Sequence, residues 1–384
     1  MNVFTWGIVT ATTAAVKDYP TLLVARIFLG IFEATIGPSL MLISSQWYTK
    51  SEQAPRFCLW YLGLGTGQIL GGIVSFGFQH ATGGGLAGWR IMFIVLGVVT
   101  MIIGVATGLF VPDTPMQAKF LTEEEKVSLL NHVSVNRTGI RNTKFKPAQV
   151  IEALLDPQVW LLTLMVMLQS VSSGVVTTYS ATLIRNMGFT SKESALLNMP
   201  SGGVSIFFTL LVGFGIRKAS NRWAWIAMCS VPGIVGGALM SFLPNRAKPG
   251  LLIGVYLVNA IVAPLAIIYQ WTAANCAGST KRAFASALVA GSFSVGNIIG
   301  PQTFQDRDAP EYRPAKIAVL ATQAAAAVMS VVLFGYYKWE NRRRDTQYDG
   351  ADSTPAPERE RQAAHPEAWA GLTDKENTKF RYVY

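Results

Sequence analysis

The stretch Val24 to Leu40, VARIFLGIFEATIGPSL, is apolar or small at nearly every position, yet it holds Arg26 and Glu33. An unpaired charge removed from water is costly and tends to neutralise. Seven positions apart, the two residues share a helix face and differ in depth by about 10 Å. Glu33 is expected near the midplane of a membrane and Arg26 nearer its outer surface. That separation is too long for a direct ion pair, so each needs another partner, a water-filled cavity or a proton. A carboxyl group so placed can exchange a proton as a cavity opens to either side, which is what a proton carrier does. The alternative is that Arg26 reaches the outer headgroups and Glu33 stays a protonated packing residue.

Uncharged polar residues gather in apolar stretches farther along. Gln169, Ser172, Ser173, Thr177, Thr178 and Tyr179 are one group; Asn198 and Ser201, then Tyr269, Gln270 and Asn275, then Asn297 and Gln302 are others. Each can equally bridge two helices. As a set they describe a polar cavity suited to a small hydrogen-bonding solute, with Gln169, Tyr179, Asn198, Tyr269, Gln270, Asn275 and Asn297 as the candidate contacts. Glycines also recur: Gly63, Gly65, Gly67, Gly71 and Gly72 in one stretch, Gly291, Gly296 and Gly300 in another. Spacings of four let helices approach closely, and hinging is the secondary reading.

Other chemistries find no constellation. No phosphate-binding glycine loop is present, and AGSTKR at Ala277 to Arg282 lacks the glycine frame. His80, His132 and His365 fall in connecting segments or the tail, so neither zinc nor Ser-His-Asp chemistry is suggested. Cys58, Cys229 and Cys276 have no metal-ligand or disulfide spacing and read as packing residues. No nucleophile and base come together as an enzyme would need, and no cofactor or metal is expected.

The elements that must position these residues are membrane helices. Of 384 residues, 51% are hydrophobic and only 14% charged, against roughly 25% charged in soluble domains. Apolar stretches run Asn2 to Val16, Thr21 to Gln46, Phe57 to Gln79, Trp89 to Val111 and Val159 to Ile184. Five more run Ser194 to Ile216, Trp223 to Leu243, Gly250 to Ala274, Ala283 to Phe304 and Lys316 to Tyr337. All but the first reach the roughly 20 residues that cross a bilayer as helix. The expected class is therefore an all-α membrane protein with ten transmembrane helices, acting as a monomer. Met1 is followed at once by apolar residues, so a signal peptide is not expected.

The net charge of +10 does not point to nucleic acid, because Lys and Arg are spread over connecting segments without stacking aromatics. Alternate connections hold the larger basic sets: Lys50 and Arg56; Lys119 to Lys146; Arg217, Lys218 and Arg222; Lys281 and Arg282; Lys338 and Arg342 to Arg344. Positive charge collects on the cytoplasmic side, so ten spans put both termini there. The acceptor pattern Asn136, Arg137, Thr138 is then cytoplasmic and unglycosylated.

Four spans, residues 1–111, precede a polar cytoplasmic linker at 112–157, and a six-helix bundle follows at 158–337. Within the linker, Thr122 and Glu125 fit a capping box for a short helix. Residues 338–384 are polar enough to read as a disordered cytoplasmic tail. GQILGG at Gly67 to Gly72 recurs as GNIIGP at Gly296 to Pro301, each copy following a basic loop in the same orientation, which is the mark of parallel repeats.

RIFLGIFEATIGPSLMLISSQWYTKSEQAPR, from Arg26 to Arg56, resembles the fourth-span motif and following loop of the major facilitator superfamily, in the form of its anion:cation symporter branch. LLNMPSGG, NCAGSTKRAFASAL, GNIIGPQTF and the terminal LTDKENTKFRYVY narrow the resemblance to fungal allantoate permease-like transporters, over Asn2 to Tyr384. The resemblance implies a twelve-helix fold, a plasma-membrane location and proton-coupled uptake of small organic anions such as allantoate, nicotinate or pantothenate. It assigns the proton to Glu33 and the substrate carboxylate to Arg26. Aligned by these motifs, the chain starts at the family's third span. The resemblance therefore also implies loss of a first-span Asp-Arg pair, and a non-transporting sensor or inactive truncation is the competing expectation.

Overall fold

The computed structural model describes residues 1–79, 86–112, 115–134, 145–244, 246–309, 311–349, 372–377 and 380–384. The acceptor pattern at Asn136 to Thr138, like His80 and His365, lies outside the described residues. Among the described residues every regular element is a helix. In chain order these are α1 (Asn2–Thr12), α2 (Tyr19–Glu33), α3 (Ile36–Trp47), α4 (Lys50–Phe78), α5 (Gly88–Phe110), α6 (Glu123–Ser134), α7 (Pro147–Leu155) and α8 (Pro157–Asn186). They continue with α9 (Ser191–Leu197), α10 (Met199–Lys218), α11 (Arg222–Phe242), α12 (Lys248–Val258), α13 (Val262–Asn275), α14 (Ser279–Gln302) and α15 (Arg313–Asp349). Short 3-10 turns extend α1 over Thr13–Ala15 and join α12 to α13 over Asn259–Ile261.

Among the described residues, eight helical stretches are long and apolar enough to cross a membrane, two fewer than the ten expected. The difference lies at the start of the chain. Helix α1 has 11 residues, and the expected span Thr21 to Gln46 is divided into α2, with 15 residues, and α3, with 12. Fifteen residues rise about 22 Å, short of the roughly 30 Å of hydrocarbon. The break at Ala34 and Thr35 follows from Pro38, which has no N–H to give the carbonyl of Ala34 and so cannot extend the α2 ladder.

The chain divides into two compact units. The first comprises the described residues of Met1–Gln53 and Leu70–Val135. Its tightest packing is between α1 and α5, where a Cβ on Gly7 would lie 2.7 Å from the Met101 nitrogen and 2.8 Å from the Gly97 carbonyl. The linker helix α6 starts where the capping box places it: Thr122 N–H donates to Glu125 Oε2 at 2.9 Å, and Glu125 N–H to Thr122 Oγ1 at 3.3 Å. Helix α4 opens on the same motif, with Thr49 N–H donating to Glu52 Oε2 at 3.0 Å. That backbone bond, with the Thr49 hydroxyl, lowers the Glu52 carboxyl to about 2, and His132 Nε2 stands 3.3 Å away.

The second unit comprises Ala54–Ile69 and the described residues of Asn136–Tyr384. Helix α8 is its centre, packed on both α14 and α15. Val175, Val176 and Leu183 of α8 meet Met240, Val255, Val258, Phe304 and Val319 in one buried cluster. At the α8–α14 crossing a Cβ on Gly296 would lie 2.5 Å from the Met167 carbonyl, so the backbones touch directly. Gly63, Gly67, Gly71 and Gly291, by contrast, face nothing within 4 Å. Close approach thus explains some of the glycines expected to pack and not these four.

The end of the chain differs most from expectation. Helix α15 does not stop near Tyr337 but runs 37 residues to Asp349, about 55 Å, well beyond the thickness of a bilayer core. The described residues after 371 are not a free tail: Thr373, Asp374 and Tyr382 are buried. Their counter-charges and aromatic partners, described below, lie far away in sequence.

Candidate functional site

In the first unit, Arg26 lies in the middle of α2 and Glu33 is its last residue. Both are exposed on a helix that has no buried residue. No ion pair links either of them to another described residue. The two therefore stand on one face of an apolar helix, as their spacing predicts, with no counter-charge among the described residues.

In the second unit, the uncharged candidates divide by what occupies them. Gln169 is fully buried in α8, where its Nε2 donates to Ser230 Oγ at 3.2 Å and its Oε1 has no hydrogen-bond partner. Tyr179, one more stretch along α8, stacks on Phe304 with ring centroids 4.2 Å apart. Asn198 sits between α9 and α10 and accepts from Ser201 Oγ at 3.4 Å. Tyr269 is buried in α13 with its ring 6.4 Å from that of Tyr61. Asn297 Nδ2 donates to the Phe293 carbonyl one turn back at 2.9 Å. Gln270 accepts from Arg222 Nε at 2.8 Å, and Asn275 is held by the backbone of Val383. The α8–α14 packing brings the Asn297 backbone against Gly174, whereas Gln169 and Tyr179 lie about 15 Å apart along α8 and are not brought together. Asn275 lies at the carboxyl-terminal end of α13.

The strongest electrostatic feature was not legible as a site. Lys281, fully buried at the start of α14, places Nζ 2.7 Å from Asp156, 2.7 Å from Asp374 and 2.8 Å from Glu152. Gln158 Nε2 donates to Asp156 Oδ2 at 2.8 Å and to Asp374 Oδ2 at 2.9 Å, so the two carboxylates share a donor as well as a cation. Tyr382 donates its hydroxyl to Asp374 Oδ2 at 2.7 Å. Burial, then the Asp374 carboxylate, push the Tyr382 phenol far above its usual value, which keeps the hydroxyl a donor. Sequence separations of more than ninety residues between Lys281 and its carboxylates hide this cluster; Lys281 reads only as a topological charge. Gln323 of α15, buried with both polar atoms unpartnered, and Gln68, which donates to Asn259 Oδ1 at 3.1 Å, were also missed.

Apolar helices that bury a polar interior, with ionisable groups on one apolar face, define a multi-pass membrane protein. The model of the Major Facilitator Superfamily matches residues 2–301, and the chain belongs to that superfamily. It is 37% identical over 384 residues to the thiamine pathway transporter THI73 of Saccharomyces cerevisiae, covering 99% of this chain and 71% of that protein. It is 30% identical over 389 residues to the allantoate permease of the same yeast, covering 98% and 70%. Among solved structures, the proton:xylose symporter XylE has a similar fold, with a TM-score of 0.63 at 12% identity over 87% of this chain and 79% of that one. The chain is a fungal permease-like member of the superfamily and a secondary transporter by class.

Proposed function

We propose that this transporter couples the entry of protons to the uptake of a small organic anion, a carboxylate of the allantoate, nicotinate or pantothenate kind. The observation that carries the reading is the pair on α2: Arg26 and Glu33 share one face of an apolar helix, and no ion pair among the described residues satisfies either. A guanidinium there can recruit a carboxylate through paired hydrogen bonds, and a carboxyl can take up and release the proton that drives accumulation. The similarity to an allantoate permease supports the choice of anion class. Within the second unit, Gln169, Tyr179, Asn198, Tyr269 and Asn297 are the neutral polar candidates for contact with a solute. Gln270 and Asn275 can join them only when Arg222 and Val383 let go. The distribution of Lys and Arg supports cytoplasmic termini, and the reading places a monomer in the plasma membrane.

The test is uptake of labelled allantoate, nicotinate and pantothenate into proteoliposomes under an inward proton gradient. Accumulation above equilibrium is expected for the native chain and not for Glu33→Gln, reconstituted at equal density. Retained gradient-driven accumulation by Glu33→Gln removes Glu33 from coupling. Binding of a carboxylate without accumulation by the native chain replaces transport with a sensing role.

A further inference from the structure

The described residues of 372–384 lie across one end of the second unit, where α8 and α14 begin and where α13 ends. Their attachment is polar at almost every point. Asp374 Oδ1 meets Lys281 Nζ at 2.7 Å and accepts the Ala277 N–H at 3.3 Å, while Oδ2 accepts from Gln158 and Tyr382. Arg344, on the last turns of α15, donates Nη1 to the carbonyls of Asp374 at 2.9 Å and Phe380 at 3.0 Å. Two asparagines each hold a residue of the segment as a strand neighbour would. Asn341 accepts the Tyr382 N–H at 2.9 Å and donates to its carbonyl at 2.9 Å; Asn275 does the same for Val383 at 2.8 and 2.9 Å. Trp271 Nε1 donates to the Val383 carbonyl at 2.6 Å, and Tyr382 stacks on Tyr337 with centroids 5.0 Å apart.

We propose that this segment is a reversible strap, a peptide of the chain itself that docks on this end of the bundle with Asp374 as anchor and Lys281 as receptor. Reversibility follows from the charge arrangement. A buried ammonium that loses its sole counter-ion is strongly destabilised. Lys281 instead keeps Asp156 at 2.7 Å and Glu152 at 2.8 Å when Asp374 leaves, so release does not strand the cation. The apolar hold is confined to two rings, the buried Tyr382 and the half-buried Tyr384, which stands edge-on to Phe334 at 5.5 Å; Thr373 and Asp374 are polar and regain water on release. Docked, the strap covers the end of the bundle and occupies Asn275 and Trp271. Undocked, it uncovers both. The inference stands apart from the identity of the substrate and the coupling ion.

Hydrogen exchange on the purified full chain tests it directly. The Tyr382 and Val383 amides, donated to Asn341 and Asn275, are expected to exchange at least about tenfold slower than in a free synthetic peptide of residues 372–384. Asp374→Asn is expected to speed exchange in the segment by about tenfold and to leave α8 and α14 unchanged. A native segment that exchanges as fast as the free peptide overturns docking. Loosening of α8 and α14 to the same degree overturns reversibility, since the segment would then be part of the fold itself. A second measurement uses a chain ending at residue 371 and a fluorescent peptide of residues 372–384. Saturable binding to the shortened chain, blocked in the full chain, is expected; no binding by a monodisperse, helical shortened chain overturns the proposal.

Discussion

Lys281 Nζ stands 2.7 Å from Asp156 Oδ2, and neither side chain has any exposed surface. The pair joins the first turn of α14 to the residue that caps α8, where Asp156 also accepts the Gln158 N–H at 3.3 Å. Replacing Lys281 by Met leaves Asp374 buried without its cation and Asp156 with only the more distant Lys375 Nζ at 3.5 Å. Loss of one partner of a buried pair costs about 3–5 kcal/mol. Lys281→Met is therefore expected to lower the thermal unfolding midpoint of the purified protein clearly more than Glu152→Gln does, because Glu152 keeps partial access to water. Equal midpoints for the two variants would show that the cluster carries no structural weight.

Close backbone approach between α8 and α14 gives a prediction that separates packing glycines from incidental ones. A Cβ on Gly296 would lie 2.5 Å from the Met167 carbonyl and 3.0 Å from the Val171 nitrogen, and those backbone atoms cannot step aside independently. Gly291, one and a half turns earlier on α14, faces nothing within 4 Å. Gly296→Val is expected to destabilise by at least about 1–3 kcal/mol through overpacking. Gly291→Ala is expected to be neutral or mildly stabilising, because alanine favours helix at an open position. Thermal unfolding of the two variants side by side checks both.

Local signals in the sequence translated well and long-range ones did not. The capping box at Thr122 lies within one turn of sequence, and it forms; the same box at Thr49 was not anticipated. Apolar runs of twenty or more residues became long helices for the same reason: a bilayer leaves the backbone no other partner. The run from Thr21 to Gln46 was read by hydropathy alone, which ignores the missing N–H of Pro38, and so the break between α2 and α3 was not anticipated. Polarity likewise misled at the end of the chain. Asp374, Arg344 and Tyr382 look like solvated tail residues, but Asp374 meets Lys281 of α14, Arg344 donates to the Asp374 carbonyl and Tyr382 to its carboxylate, and polar groups so paired can be buried. At the candidate site, the shared face of Arg26 and Glu33 follows from spacing, whereas the engagement of Asn275 by Val383 could not.

The depressed Glu52 carboxyl makes the start of α4 acid-sensitive. Its value falls from an ordinary 4.5 to about 2, first because the Thr49 N–H donates to the carboxylate and then because the Thr49 hydroxyl does. A carboxyl with a lower value in the folded state stabilises that state above the unfolded value, and the contribution is lost as pH falls. Between about 4.5 and about 2, therefore, the capping box opens progressively. Hydrogen exchange of the Thr49 amide is expected to accelerate across that window, beyond the intrinsic change with pH. Glu52→Gln is expected to flatten the response, and an unchanged profile in that variant would remove Glu52 as its source.

Arg26 is the residue whose chemistry most sharply tests the proposed anion recognition. It sits mid-helix on α2, exposed among apolar neighbours, where no carboxylate among the described residues pairs with it. A planar guanidinium offers a carboxylate two parallel hydrogen bonds, and an ammonium on the same stem offers the charge without the fork. Arg26→Ala is expected to reduce the kcat/KM of uptake by at least about tenfold, chiefly through a higher KM, since charge-assisted bonds to a carboxylate are worth about 1.5–3 kcal/mol. Arg26→Lys is expected to fall between the two, because charge attraction survives and the paired geometry does not. Initial rates against substrate concentration in proteoliposomes, at matched protein density, decide the matter. An Arg26→Ala chain with native KM for every small carboxylate tried would move the anion contact elsewhere, whereas a graded loss from Arg through Lys to Ala ties recognition to the fork itself.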